Sequence, residues 1–66
     1  MHISAKADYA VRTLLQLAAA DGAAGKAEAL ASAMGVSHKF LESVLADLRR
    51  TELVRSRRGP DGGYWL

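Results

Sequence analysis

Two groups of side chains in this chain have the types and spacing to act on a partner. Ser37, His38 and Lys39, with Glu42 and Ser43 one turn further on, form the first. Arg49, Arg50, Arg55, Arg57 and Arg58, crowded into residues 49–58 and followed by Gly59, form the second. Hydroxyl, ammonium, carboxylate and guanidinium groups set out in this way can read base edges and neutralise phosphates. Glu42 can accept from a cytosine amino group, and Ser43 can bond to several base edges or to phosphate. Enzymatic chemistry fits the residues less well. His2 and His38 are isolated, neither has the spacing of a metal-ligand pair, and no glycine motif that cradles phosphate precedes a helix. Gly62-Gly63 leads into an apolar, strand-forming run and is not a nucleotide loop. With no cysteine the chain holds no disulfide and no thiolate metal site.

The elements that would carry these groups are legible from periodicity. Ser4 can cap a first helix, in which Ala7, Val11, Leu14 and Ala18 recur at helical spacing and Ala10 and Leu17 widen the stripe. The segment Asp21-Gly22-Ala23-Ala24-Gly25 ends that helix. A shorter helix over residues 27–34 would bury Leu30, Ala31 and Met34, with Lys26 as an unfavourable cap. Gly35-Val36-Ser37 is a tight corner: Gly35 can turn left-handed, Val36 can pack inward and Ser37 can cap the next helix. This third helix, over about residues 37–50, has Phe40, Leu41, Val44, Leu45 and Leu48 on one face. Its opposite stripe holds Lys39, Glu42, Ser43, Ala46 and Arg50. Residues 53–57 then read as a strand, Gly59-Pro60-Asp61-Gly62-Gly63 as a turn and Tyr64-Trp65-Leu66 as a returning strand. The fold class expected is mainly α with a small β-hairpin: a winged helix-turn-helix of three helices plus a wing. A hairpin this short is not stable alone, so Val54, Tyr64 or Leu66 must close over the helices.

In that frame the N-terminal end of the third helix would enter a major groove, presenting Ser37, His38 and Lys39 to bases and phosphates. The wing would place Arg58 in a minor groove, with Arg55 and Arg57 on phosphates. Each feature also has a plainer explanation. The polar stripe is what any amphipathic helix shows to water, and a charge run is usually solvated. Arginine at the end of a helix is favoured by the helix dipole, which accounts for at least one of Arg49 and Arg50. Tyr9, off the centre of the first stripe, is expected to be partly buried, and Trp65 to pack against the helices or a further segment.

Composition limits the alternatives. The 66 residues carry a net charge of +2 and are half hydrophobic, enough for one small folded domain. No apolar run is long enough to span a bilayer, and the first residues lack the pattern of a signal peptide. A cytoplasmic protein is expected.

Three stretches together resemble the Rrf2 family of bacterial winged-helix regulators. They are residues 3–12 (Ile3-Ser4-Ala5-Lys6-Ala7-Asp8-Tyr9-Ala10-Val11-Arg12), Lys39-Phe40-Leu41-Glu42 with Leu48-Arg49-Arg50, and residues 53–64, which end in Gly-Gly-Tyr. The segment around residues 21–26 matches least, since family members often carry Thr or Ser where Lys26 stands. The resemblance implies a homodimer that binds a partly palindromic stretch of double-stranded DNA, usually as a repressor. It implies that Ser37, Lys39, Glu42 and Ser43 read the major groove while Arg58 and Gly59 enter the minor groove. Many members hold an iron–sulfur cluster on cysteines beyond the wing, and in some nitric-oxide sensors a carboxylate at the position of Asp8 completes it. An Asp in the first turns of a helix is also favoured by the dipole alone. No cofactor is expected within these 66 residues, although a cluster in a longer parent protein is compatible with them.

The chain is therefore expected to be the DNA-binding part, residues 1–66, of a regulator whose dimerisation helix and any sensing region lie outside it. A single head should bind half of a two-fold site, and more weakly than a dimer binds the whole. The rival is a winged helix that contacts protein rather than DNA.

Overall fold

A computed structural model describes residues 4–60 and 62–66. His2, Ile3 and Asp61 lie outside the described residues. Three helices are followed by a two-stranded antiparallel hairpin: α1 (Ala5–Ala19), α2 (Ala27–Met34), α3 (His38–Arg50), β1 (Arg55–Arg57) and β2 (Gly63–Trp65). The hairpin register pairs Arg55 with Trp65, Ser56 with Tyr64 and Arg57 with Gly63.

The helix ends follow their residues. The Ser4 hydroxyl accepts from the Ala7 N–H at 3.1 Å, and that of Ser37 from the Phe40 N–H at 3.0 Å. Lys26 stands at the N-cap of α2 and makes no side-chain capping bond. Gly35 ends α2 at φ 67°, a left-handed conformation that lets the Val36 N–H reach the Ala31 carbonyl at 3.1 Å. At the end of α3 the same kind of wrap joins the Leu53 N–H to the Leu48 carbonyl at 3.2 Å, but here Glu52 holds the left-handed position, at φ 64°.

The core joins all three helices to the strand entrance: Leu17, Leu30, Ala31, Leu41, Val44, Leu45, Leu48 and Val54. Leu41 and Leu45 are fully enclosed. Tyr9 packs on this core and meets Phe40 edge to face, ring centroids 5.5 Å apart, so its expected partial burial holds.

The inward face of α1 differs from the stripe expected of it. Ala7, Val11 and Ala18 are exposed, whereas Tyr9, Ala10, Thr13, Leu14 and Leu17 turn inward. The face is rotated by about one residue, or roughly 100°, because a threonine occupies its centre. Thr13 is wholly buried and its hydroxyl donates to the Tyr9 carbonyl at 2.7 Å, which satisfies the polar group inside its own helix. The first strand is shorter than residues 53–57: Leu53 is exposed and Val54 turns into the core before β1 begins. The second strand starts at Gly63, inside the expected turn, and Leu66 is exposed rather than closing on the helices; Val54 and Tyr64 do that work.

The connection between α1 and α2 is more than a stop signal. Gly25 forms an antiparallel bridge with Tyr64, its N–H donating to the Tyr64 carbonyl at 2.7 Å and its carbonyl accepting from the Tyr64 N–H at 2.8 Å. The hairpin thus gains a one-residue third strand. A Cβ on Gly63 would lie 2.7 Å from the Gly25 carbonyl oxygen, so this crossing requires glycine at 63.

Candidate nucleic-acid interface

The 3.6-residue repeat of α3 separates its two jobs. Leu41, Val44, Leu45 and Leu48 are buried, and His38, Lys39, Glu42, Ser43, Ala46, Arg49 and Arg50 are exposed. Apolar burial on one side therefore fixes what the other side displays. At the N-terminal end the Ser37 hydroxyl satisfies the Phe40 N–H, while the N–H groups of His38 and Lys39 have no partner among the described residues. With the positive end of the helix dipole behind them, these groups can donate to a phosphate oxygen.

One turn along, the His38 Nε2 lies 3.2 Å from the Glu42 carboxylate. At the far end, Arg50 pairs with Asp47, and Asp47 also takes the Lys6 ammonium at 2.7 Å. The only acidic residue of α3 besides Glu42 is thereby neutralised by cations from two helices. Lys6 was not singled out from the sequence, since its partner lies 41 positions away.

The hairpin carries the second group. Arg55, Arg57, Arg58 and Gly59 are all exposed, as are Ser37 to Lys39, Glu42, Ser43 and Arg50, so every residue proposed from the sequence lies where a partner can reach it. The Arg57 guanidinium sits over the indole of the half-buried Trp65, 5.9 Å from its centroid. At the tip, Gly59 takes φ 103°, and the Gly62 N–H donates back to the Gly59 carbonyl at 2.9 Å. Gly62 is indispensable for a different reason: a Cβ there would lie 2.1 Å from the Arg57 carbonyl oxygen.

Among the described residues no hydrogen bond or ion pair joins the N-terminal group of α3 directly to the wing arginines. A tie runs through Arg49, whose guanidinium donates to the Ser56 hydroxyl at 3.2 Å and so holds the end of α3 beside β1. Between them lies an open depression of about 420 Å³ lined by Arg49, Glu52, Val54 and Arg55. Of the two arginines ending α3, then, Arg49 braces the hairpin, a role sequence reasoning missed because Ser56 gives no periodic signal.

The residues do not suit an iron–sulfur cluster. There is no cysteine, and Asp8 is bound to Arg12 at 3.1 Å in a solvent-exposed pair. No group of three or more metal-ligating side chains occurs among the described residues, and no helix there is long and apolar enough to cross a membrane.

Comparison with known proteins bears on this arrangement. The family model described as "Rrf2: Iron-dependent Transcriptional regulator" matches residues 3–66. Rv1287 of Mycobacterium tuberculosis, provisionally named an HTH-type transcriptional regulator, is 52% identical over the whole of this chain and 42% of its own length. The HTH-type transcriptional regulator IscR of Sodalis glossinidius is 40% identical, again over all of this chain and 41% of the relative. The chain thus spans less than half the length of these relatives. Among solved structures, CymR, the global cysteine regulator of B. subtilis, superposes with a TM-score of 0.90 at 32% identity, covering all of this chain and 52% of that one. IscR of T. potens gives 0.83 at 35% identity, covering all of this chain and 49% of that one.

Proposed function

Since the chain belongs to the Rrf2 family of transcriptional regulators, we propose that it binds double-stranded DNA in a sequence-specific manner. It is the winged helix-turn-helix part of a cytoplasmic regulator, a homodimeric repressor. In this reading α3 lies in the major groove, where Lys39, Glu42 and Ser43 meet base edges and Ser37 and His38 meet the backbone. Arg58 and Gly59 enter the neighbouring minor groove, where negative potential draws a guanidinium, and Arg50, Arg55 and Arg57 meet phosphates.

The observation that carries this reading is the division of α3: Leu41, Val44, Leu45 and Leu48 are buried and Phe40 half-buried on one face, while Lys39, Glu42, Ser43, Ala46 and Arg50 are exposed on the other. An exposed arginine-bearing wing supports it.

The test is a titration of the chain on a duplex selected by it from a random-sequence pool. Affinity should fall steeply as salt rises, because each phosphate neutralised releases counterions. Lys39→Ala and Arg58→Ala should each weaken binding about tenfold. Retention indifferent to salt and to both substitutions would mean that the exposed faces serve a protein partner instead.

A further inference from the structure

Lys26 begins α2 yet does nothing for that helix through its side chain. Its side chain instead reaches 34 positions ahead to the tip of the wing, where the ammonium donates to the Pro60 carbonyl at 2.8 Å and to the Gly59 carbonyl at 3.4 Å. Its own backbone is anchored at the base of the same hairpin. The preceding residue, Gly25, is doubly bonded to Tyr64, and the Lys26 carbonyl accepts from the Leu30 N–H at 2.9 Å. The side chain therefore spans from a fixed point beside β2 to the turn just beyond Arg58.

The effect on that turn is specific. The Gly59 carbonyl already accepts from the Gly62 N–H, so the lysine occupies its second lone pair. Gly59 sits at φ 103°, a conformation from which a glycine reaches many others at little cost, and such a residue does not hold a direction unaided. The aim of the adjoining Arg58 thus depends on the restraints placed on residues 59 and 60.

We infer that Lys26 is a positioning residue for DNA recognition, a strut that sets the angle at which Arg58 and the wing tip meet the minor groove. The inference rests on the DNA-binding reading above. Lys26 acts through the wing and makes no contact with the duplex.

Lys26→Met keeps most of the apolar stem and removes the ammonium, and Lys26→Arg keeps a donor. The side chain is exposed and caps nothing, so the melting temperature of Lys26→Met should stay within about 4 °C of the wild type. On a duplex selected by the wild-type chain, Lys26→Met should bind about fivefold more weakly and Lys26→Arg should recover most of the loss. In an Arg58→Ala background Lys26→Met should have almost no further effect, because a strut with nothing to aim has nothing to lose.

Additive losses from Lys26→Met and Arg58→Ala would overturn the inference, since they would make Lys26 an independent phosphate contact. Unchanged binding by Lys26→Met would overturn it as well, leaving the DNA reading intact. Failure of the wild-type chain to select any duplex would overturn both.

Discussion

Behind the outward stripe of α3 stand Leu41, Val44, Leu45 and Leu48, side chains with almost no contact with water. Behind the arginines of the wing stand one apolar anchor, Val54, the half-buried ring of Tyr64 and a set of polar bonds: the Gly25 bridge, the Arg49–Ser56 bond and the reach of Lys26. The two surfaces would touch one duplex, yet they are held by different forces. Burial against a packed core is cooperative with the whole fold. A few partly solvated polar bonds can open locally while the helices stay folded. In the proposed reading, a rigid helix beside a more adjustable wing would let one element specify bases while the other follows groove shape.

The largest effect expected is on the helix side. Leu45→Ala should cost about 2–5 kcal/mol, a large share of what a domain of this size can have. Thermal unfolding followed by circular dichroism should show α3 lost together with the other helices, and DNA binding lost with them. If the variant kept its helices but lost binding, the coupling of α3 to the core would be weaker than its burial implies.

Next comes the wing. Gly62→Ala forces a methyl group to 2.1 Å from the Arg57 carbonyl oxygen, so the turn must deform. About 1–3 kcal/mol of local strain is expected. The helical signal should stay close to that of the wild type while DNA affinity falls at least as far as in Arg58→Ala. Global unfolding at this position would mean that the wing belongs to the same cooperative unit as the helices.

The smallest effect is expected where the two regions join. Glu52 holds a left-handed conformation that costs an ordinary residue about 1 kcal/mol and glycine almost nothing. Glu52→Gly should therefore raise stability by up to about 1 kcal/mol, read as a higher midpoint in urea, with little change in binding. A loss of stability would show that the Glu52 side chain contributes something its exposure hides.

Much of this was readable in the residues, and the exceptions share a cause. Gly35 and Ser37 announce the turn before α3 because their chemistry acts on adjacent backbone, and the faces of α3 arise from its own repeat. The same locality made Arg58 and Gly59 visible as a tip. What stayed hidden depends on partners far along the chain. The rotation of α1 hinges on Thr13, which a hydrophobic tally passes over because its hydroxyl finds the Tyr9 carbonyl only once the helix has formed. Segment 21–26 looked like a mere breaker because nothing near Gly25 reveals that Tyr64 will lie beside it. Lys26 read as a poor cap, correctly, but its actual partners are 33 and 34 positions away.

Trp65 is the only tryptophan in the chain, and it sits in the hairpin beneath the Arg57 guanidinium. The molecule thus carries an optical probe confined to one of its two regions, since no helix contains an indole to mask it. If a phosphate draws Arg57 off the ring, the emission of Trp65 will change at that moment. Engagement of the hairpin could then be timed in a stopped-flow instrument apart from the docking of the helices, without attaching any dye.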